Sequence, residues 1–286
     1  MFALLFPGQG SQFVGMGLDL YKKYDLVKEI FRKVDETLGY SLSNIILHGS
    51  DTDLKLTKNT QPAIMTVGVS IFLVLMREFN MNLNRAKFFA GHSLGEYTAL
   101  VCANSLSIET AAFLLHERGK AMQDSVPVGQ GAMIAVLGMS VDEVVKMIDL
   151  VPSNGICEVA NDNCPGQVVV SGNKNSINSL CSILKKNSKK YVILPVSAPF
   201  HCSLMKKAEA NMEQMIKSAK FKDPTPSVIS NVSACPENEV DKIKNLLVKQ
   251  ITSKVRWRES IEYMIKNNIS KFIEIGPGKV LAGLVK

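Results

Sequence analysis

The sequence predicts an α/β fold, in which a mostly parallel sheet is covered by helices on both faces and a smaller α/β unit is inserted into it. Apolar runs alternate with helical patterns over residues 1–127 and again over 198–286, and this alternation is typical of a parallel sheet. Residues 128–197 follow the order βαββαβ instead, which predicts a separate small domain. The 286 residues, 46% of them hydrophobic, are enough to bury both cores.

The large domain is predicted to begin with a short buried strand, FALLF at 2–6, which Pro7 and Gly8 end. A second strand, AKFFAG at 86–91, runs into a turn that contains glycines. The predicted helices share apolar residues at a helical period and lie around 27–37 and 61–78, at 96–104, and at 107–125 with Ser107 as N-cap. After residue 198 we expect helices and one late strand, KFIEIG at 271–276.

The small domain has the element order of a split βαβ, ferredoxin-like unit. Its predicted elements are a strand at 131–138, a helix at 140–150, strands at 156–162 and 167–172, a helix at 173–186 and a strand at 189–197. We therefore expect domain boundaries at residues 128 and 197, with 1–127 and 198–286 forming the large catalytic domain.

Composition argues against several classes of protein. The longest uncharged run, Asn59 to Met76, contains Pro62 and ends at Arg77, which predicts a buried helix rather than a membrane span. The apolar N-terminus has no basic lead, so it does not match a secretory signal.

Six cysteines without a CxxC pair, beside four histidines, argue against a zinc site and indicate a reducing, cytoplasmic compartment. Net charge is +7, but aromatic residues do not interleave with basic ones, so nucleic acid is not an expected partner.

The stretch GHSLG at 91–95 places Ser93 between two glycines, after a predicted strand and before a predicted helix. This is the context of a nucleophile elbow, whose turn is strained and whose glycines relieve crowding around an exposed hydroxyl. The start of the helix would also point free N–H groups at the reaction centre. The alternative is that Ser93 is an ordinary helix N-cap.

A serine nucleophile needs a base that takes its proton, and the chain has four histidines. His92 is adjacent to Ser93, but neighbours on a tight turn diverge. His48 lies at a possible helix end, and His116 lies within a predicted helix. His201 follows the small domain, at a seam where clefts often form, and is the candidate general base. The alternative for His201 is a structural histidine.

Two glycine-rich stretches lack the residues of nucleotide-binding loops. In GQGSQF, Phe13 stands where a dinucleotide fingerprint needs its third glycine, and in GPGKV, Val280 stands where a P-loop needs Ser or Thr. The loop FPGQGSQ at 6–12 instead follows the first strand and would lie beside the elbow. It is therefore a candidate source of an oxyanion donor.

Five motifs follow one another along nearly the whole chain: FPGQGSQ at 6–12, GHSLGEY at 91–97, ERGKAMQ at 117–123, SAPFHC at 197–202 and EIGPGKVL at 274–281. In this order they resemble the malonyl-CoA:acyl carrier protein transacylases, the acyltransferases of fatty-acid synthesis. The resemblance implies an α/β-hydrolase-like core with a ferredoxin-like subdomain, which agrees with the element order above.

The resemblance also implies roles for individual residues. Ser93 matches the nucleophile that becomes malonylated, and His201 matches its general base. Gln9 and Leu94 match the residues whose backbone N–H groups form the oxyanion hole. Arg118 matches the guanidinium that binds the free carboxylate of the substrate.

Three further positions match the family pattern. Gln250 matches the residue whose backbone carbonyl orients the histidine, and Asn161 resembles a position that lines the cleft. Phe200 resembles the form found where unbranched malonyl is preferred over α-methyl substrates, although one methyl group in an apolar pocket is worth only about 1–3 kcal/mol.

An arginine suits a carboxylate because its planar fork can donate two hydrogen bonds at once. A buried Arg118 would favour malonyl over acetyl, since acetyl leaves the cation unpaired. The alternative is that Arg118 is a surface helix residue paired with Glu117 or Asp124.

The reaction implied by the resemblance is a ping-pong transfer from malonyl-CoA, through malonyl-serine, to the phosphopantetheine thiol of acyl carrier protein, with no metal or bound cofactor. Carrier proteins of this kind are typically acidic, so the lysines within 185–190 and at 206–207 are candidates for docking, and we expect a monomer.

One rival function is that of a serine hydrolase, thioesterase or lipase, which should have an acid behind the histidine and no need for Arg118. The other is a non-catalytic scaffold, which should have lost Ser93, His201 or Arg118.

Overall fold

A computed structural model describes residues 1–127, 129–196 and 198–285, and the predicted boundary residues 128 and 197 lie outside the described residues. The predicted α/β class is confirmed, with one mostly parallel and one antiparallel sheet. The strands are β1 (Phe2–Phe6), β2 (Phe88–Gly91), β3 (Gly131–Leu137), β4 (Cys157–Cys164), β5 (Gln167–Asn173), β6 (Lys190–Ile193), β7 (Ser227–Ile229), β8 (Pro236–Glu237) and β9 (Lys271–Glu274). The α-helices are α1 (Leu18–Lys23), α2 (Asp25–Leu38), α3 (Leu42–His48), α4 (Asp51–Lys55), α5 (Thr57–Arg77), α6 (Gly95–Cys102), α7 (Ile108–Gln123), α8 (Val141–Ile148), α9 (Lys174–Lys186), α10 (Lys206–Ser218), α11 (Val240–Gln250), α12 (Trp257–Lys266) and α13 (Val280–Val285).

The large sheet has the strand order β8-β7-β2-β1-β9. Strands β7, β2, β1 and β9 run parallel, and only the edge strand β8 pairs antiparallel within this described sheet. Phe6 pairs with Gly91 in the register of β1 and β2, so the two strands end side by side. The loop at 6–12 and the turn around Ser93 therefore meet at the carboxyl edge of the sheet, which is where sites form in parallel sheets.

Successive residues of β1 point to opposite faces of the large sheet. Leu4 and Phe6 belong to the larger core with side chains of α2, α5 and α7, whereas Ala3 and Leu5 pack in a second core with Trp257 of α12. Full burial of a large apolar side chain is worth about 1.5–3 kcal/mol. Burial on both faces thus stabilises the sheet whose edge carries the loops.

Helix α5 is the apolar run that composition assigned to the interior. By length and composition it could cross a membrane, but 78% of its most apolar stretch is buried inside the molecule. It packs against α7 and α2 in the larger core, as the sequence predicted for a buried helix.

The small sheet is antiparallel throughout, in the order β4-β5-β3-β6, with α8 and α9 packed on it around a core of their own. This is the sheet that the βαββαβ order predicts. Its last strand, expected at 189–197, ends at Ile193, because Pro195 cannot donate a ladder hydrogen bond. Strand β4 extends to Cys164, beyond the predicted end at 162, with two shifts of register against β5.

A seam of backbone and side-chain bonds joins β4 to the large domain. The Asp162 N–H donates to the Val255 carbonyl at 2.9 Å, and the Val255 N–H donates to the Ala160 carbonyl at 2.8 Å. The buried Asp162 carboxylate also accepts from Arg258, with its shortest contact at 2.8 Å. We refer to Ala160, Asp162, Val255 and Arg258 as the seam.

The expectation of a single strand after residue 198 was wrong. Strands β7 and β8 precede β9, and β7 is a parallel neighbour of β2 in the large sheet. They were missed because three and two residues are too few to show an alternating pattern.

Candidate active site

The turn between β2 and α6 is tightly constrained, and Ser93 lies on it with a φ of 52°. A Cβ at Gly91 would come within 1.9 Å of the Gly95 backbone, and one at Gly95 within 2.2 Å of the Phe6 carbonyl oxygen. Neither position can hold a larger residue without a shift of main chain. The glycines flanking Ser93 are therefore required because main-chain segments pass too close to them for a Cβ atom, which explains the glycines of the elbow motif.

Ser93 does not cap α6. The N-cap position is Leu94, and no side chain caps the helix there. The Ser93 hydroxyl oxygen instead lies 2.8 Å from His201 Nε2. The hydroxyl is thus available for chemistry, unlike that of Ser107, whose side chain accepts from the Thr110 N–H at the start of α7.

His201 is buried, has a φ of 58°, and is held from behind by a main-chain group. Its Nδ1 lies 2.9 Å from the Gln250 carbonyl oxygen. That carbonyl accepts the Nδ1 proton, which leaves Nε2 as an acceptor facing the Ser93 hydroxyl. Burial and the nearby charge of Arg118 lower the pKa of His201 to about 3, so the free imidazole is neutral.

Arg118 reaches the same point from α7. Its side chain is 1% exposed, and Nη2 donates to the Ser93 hydroxyl at 3.2 Å and to Gln250 Oε1 at 2.7 Å. Nη1 donates to Gln61 Oε1 at 2.8 Å. These acceptors are all neutral, and burial lowers the pKa of Arg118 from its ordinary value.

The alternative for Arg118, a surface residue paired with Glu117 or Asp124, does not describe its position. Within the described residues, its hydrogen bonds go to Gln61, Ser93 and Gln250. Its Nε is buried without a partner there. A buried cation without an anionic partner is costly, so the position favours an anionic ligand.

Two backbone donors are free beside the serine. Among the described residues, the N–H groups of Gln9 and Leu94 have no acceptor, whereas the Ser93 N–H donates to Asn231 Oδ1 at 2.7 Å. The Asn231 Nδ2 also donates to the Gly91 carbonyl at 2.7 Å, so the turn after β7 stabilises the elbow. Free N–H groups at a helix start can stabilise a developing oxyanion.

A cavity of about 360 Å³ is lined by Gln9, Ser93, Arg118 and His201. Phe200, Asn161 and Leu94 are among its lining residues, together with Met133 and Val196. Asn161 and Met133 come from the small sheet and the others from the large domain or the segments that connect the two. The cavity therefore opens between the two sheets, where the position of His201 after the small domain predicted a cleft.

The other histidines make different contacts. His92 is partly exposed and also lines the cavity, but its Nε2 lies 2.9 Å from Asn163 Oδ1 of β4. His116 contacts Tyr40 and the Lys58 carbonyl. His48 ends α3 at the surface. The described residues contain no group of three or more His, Cys, Asp or Glu that could hold a metal ion.

Sequence reasoning missed three polar residues of this site: Gln61, Glu96 and Asn231. Gln61 lies in the apolar run of α5, and Glu96 lies in the first turn of α6, where an acidic residue has the pattern of a surface residue. Both are at most 3% exposed. Asn231 lies two residues after the end of β7, so a polar residue after a parallel strand was the available signal, but β7 itself was not predicted.

Comparisons with known proteins agree along the whole chain. The acyl transferase domain family matches residues 3–286. A malonyl CoA-acyl carrier protein transacylase of Bacillus subtilis (strain 168) is 44% identical over 286 residues, covering 99% of this chain and 89% of that protein.

Solved structures give the same result. The acyl-carrier-protein-S-malonyltransferase from Bartonella henselae superposes with a TM-score of 0.96 at 41% identity, covering 99% of this chain and 91% of that one. A malonyl-transacylase in complex with its type II PKS acyl-carrier protein has a TM-score of 0.95 at 36% identity, covering 100% of this chain and 92% of that one.

Proposed function

The chain belongs to the acyl transferase family, among the malonyl CoA-acyl carrier protein transacylases, and from this premise we propose that Ser93, His201 and Arg118 carry its malonyl transfer. The enzyme is an acyltransferase that moves the malonyl group of malonyl-CoA to acyl carrier protein. The product supplies malonyl units for fatty-acid elongation.

In the first half of the reaction, His201 Nε2 takes the Ser93 proton as the hydroxyl oxygen bonds to the thioester carbon. The carbonyl oxygen becomes an oxyanion, which the free N–H groups of Gln9 and Leu94 stabilise. The C–S bond then breaks, and the imidazolium returns its proton to the CoA thiolate. The product is malonyl-Ser93.

In the second half, the phosphopantetheine thiol of acyl carrier protein attacks malonyl-Ser93. His201 takes the thiol proton, and the same N–H groups hold the second oxyanion. Collapse transfers malonyl to the carrier and returns the proton to Ser93. Neither half needs a metal or a bound cofactor, because the acid, base and oxyanion donors all come from the chain.

The observation that carries this proposal is the buried guanidinium 3.2 Å from the nucleophile. A malonyl group is only three carbons long, so a cation that binds its carboxylate has to lie this close to Ser93. Arg118 has neutral acceptors only, and a carboxylate would supply the anion that it lacks. An acetyl group would leave Arg118 unpaired, at a cost of roughly 3–5 kcal/mol.

Phe200 and Asn161 are proposed to shape the cavity around the acyl group. Both line it, and Phe200 directly precedes the proposed base. A bulky ring here leaves less room for an α-methyl group, which favours unbranched malonyl.

Docking of the carrier is proposed on the lysine-rich end of the small domain. Lys185, Lys186 and Lys190 are exposed, and β6 is an edge strand whose Val192 and Ile193 are 51% and 66% exposed. The chain continues from β6 into residues 194–196, which line the cavity. An acidic carrier placed here would have its thiol arm beside the entrance. Lys206 and Lys207, exposed at the start of α10, are a second basic pair within the same proposal.

We also propose that the enzyme acts in the cytoplasm as a monomer, and that residues 128–197 form the small domain with 1–127 and 198–286 as the catalytic domain. A serine hydrolase is the rival function. Such an enzyme commonly places a carboxylate behind its histidine, whereas Gln250 offers His201 a neutral carbonyl.

Intact-protein mass spectrometry after mixing with malonyl-CoA tests the proposal. We expect one malonyl adduct, mapped to Ser93, that persists until acyl carrier protein is added and is then lost to the carrier. Ser93→Ala should form no adduct, and Ser107→Ala, which alters a capping serine outside the site, should form it normally. Rapid release of free malonate without the carrier would indicate a hydrolase instead.

A further inference from the structure

We propose that Glu96 is a positioning residue for malonyl selection: its buried carboxylate holds the side-chain amide of Gln250, and that amide holds Arg118. The inference rests on the proposed role of Arg118. It assigns to Glu96 and to the Gln250 side chain a function separate from that of the Gln250 main-chain carbonyl, which contacts His201.

The three side chains form a continuous buried chain of hydrogen bonds. One carboxylate oxygen of Glu96, Oε2, accepts from Gln250 Nε2 at 2.7 Å. At the other end of the same amide, Gln250 Oε1 accepts from Arg118 Nη2 at 2.7 Å. Glu96, Gln250 and Arg118 are 3%, 1% and 1% exposed, so water does not compete for these bonds.

The amide has one consistent orientation in this chain. Arg118 can only donate, so it requires the amide oxygen, and the opposite NH₂ group then requires an acceptor. Glu96 supplies that acceptor at 2.7 Å, and the Ser93 carbonyl supplies a longer one at 3.1 Å. Without Glu96, a buried NH₂ group would lose its shorter bond and Gln250 would move away from the guanidinium.

The same Glu96 oxygen also accepts from the Asn231 N–H at 3.0 Å. Asn231 holds the Ser93 N–H, so a loss at Glu96 could also loosen the elbow. That second effect would slow acylation by any donor. The ratio of malonyl to acetyl transfer removes it, because acetyl uses Ser93 and His201 but has no carboxylate for Arg118.

Charges facing Glu96 come from three elements. Arg118 of α7 favours its ionised form, whereas Glu237 of β8 opposes it, and Tyr97 lies next to Glu96 in α6. Burial outweighs the favourable contacts and raises the pKa of Glu96 to about 7. The acceptor role does not require ionisation, because an uncharged oxygen at the Oε2 position can accept both bonds.

The test measures kcat/KM for acylation of Ser93 by malonyl-CoA and by acetyl-CoA in the full-length enzyme. In Glu96→Met, which removes the acceptor, we expect the malonyl:acetyl ratio to fall about tenfold, the equivalent of one strong hydrogen bond. Glu96→Gln keeps one oxygen able to accept both bonds and should restore most of the ratio. Glu78→Met, the same change at an exposed glutamate, is the control and should leave the ratio unchanged.

A double-mutant cycle shows whether Glu96 acts through Gln250. Gln250→Met removes the amide but keeps the main-chain carbonyl that contacts His201. We expect Glu96→Met to lower the ratio no further in the Gln250→Met background. Additive losses, an unchanged ratio in Glu96→Met, or an equal loss in Glu96→Gln would each overturn the inference.

The outcomes also separate this inference from the proposed function. A wild-type enzyme that does not prefer malonyl-CoA would contradict the role of Arg118 itself. A wild-type preference that survives Glu96→Met would contradict only the role of Glu96. If Glu96→Met fails to fold, the Gln250→Met and Glu96→Gln variants test the same chain of bonds.

Discussion

The catalytic centre and the seam each contain a buried charged side chain, but only the charge in the seam has an oppositely charged hydrogen-bond partner. In the centre, Arg118 is 1% exposed and donates only to neutral acceptors. In the seam, Asp162 is equally buried but accepts three contacts from the guanidinium of Arg258, between 2.8 and 3.2 Å. The seam thus pairs its charge with a direct ion pair within the protein. Arg118 has no carboxylate among its hydrogen-bond partners, and on its proposed role the substrate supplies one. Unpaired buried charge marks function here, whereas paired buried charge marks structure.

The largest expected effect comes from removing the uncompensated cation. In Arg118→Ala, transfer from malonyl-CoA should fall by roughly two to four orders of magnitude, the equivalent of roughly 3–5 kcal/mol. Transfer from acetyl-CoA should change little or rise, because acetyl no longer meets an unpaired charge. Steady-state kinetics with both donors measures the difference. Equal losses for both donors would mean that Arg118 supports the fold or the serine rather than selecting the acyl group.

The buried carboxyl of Glu96 in the catalytic centre should make the stability of the protein depend on pH. Its pKa is raised by burial to about 7, so the folded state binds its proton more tightly than the unfolded state does, and the folded protein loses stability as pH rises from about 4.5 to 7. Glu96→Gln keeps the hydrogen bonds but cannot ionise. It should be more stable than wild type at pH 8, by up to roughly 3 kcal/mol, with the difference vanishing below pH 4.5.

Urea unfolding of wild type and Glu96→Gln across this pH range measures the effect. A difference that does not vary with pH would mean that the ionisation of Glu96 carries no cost. A result as expected would show that the centre loses stability through its buried charges, in keeping with the general conflict between active sites and stability.

The seam should respond in the opposite direction. Arg258→Met leaves the Asp162 carboxylate buried without its cation and should lower the free energy of unfolding by about 2 kcal/mol, less than for a fully enclosed pair because Arg258 is partly exposed. Thermal or urea unfolding measures the change. The malonyl:acetyl ratio should stay at the wild-type value, and a change in it would mean that the seam takes part in selection.

The smallest expected effect lies on the surface. Reversing Lys185 and Lys186 to glutamate should raise the KM for acyl carrier protein severalfold at low ionic strength and leave acylation by malonyl-CoA unchanged. The matched control is reversal of Lys22 and Lys33, which lie in α1 and α2. If the carrier KM responds equally to both pairs, only net charge matters. If it responds to neither, the carrier docks on another face.

Some of this arrangement was predictable from sequence because it follows local rules. The elbow was visible in GHSLG, since close approach requires glycine at 91 and 95 whatever the rest of the fold. The βαββαβ order gave the small sheet for the same reason: each of its strands is at least four residues long and has a clear pattern. Residues 118 and 250 could be assigned only by resemblance, because their partners lie far away in the chain.

Other parts depended on long-range packing and had no local signal. Glu96 follows the elbow in a helix of mixed character, and nothing in GEYTALVC shows that it is buried beneath Gln250. Asn231 contacts Ser93 across 138 positions, from a turn that follows a strand of only three residues. Such residues become visible only when the sheet order is known.

The main-chain carbonyl behind His201 has a consequence for which nucleophile can complete the reaction. The His201 ring faces a neutral oxygen and a nearby guanidinium, and its pKa is held far below the usual range. Its imidazolium form is therefore a strong acid, and its neutral imidazole a weak base. Such a base takes the proton of a thiol, with a pKa near 8.5 for cysteine, more readily than that of water, whose pKa is about 15.7. The Ser93 hydroxyl differs from a free water molecule because it is held 2.8 Å from Nε2. If His201 is the base, as proposed, we expect the acyl-serine to react faster with a sulfur nucleophile than with water, because a peptide oxygen rather than a carboxylate faces the imidazole.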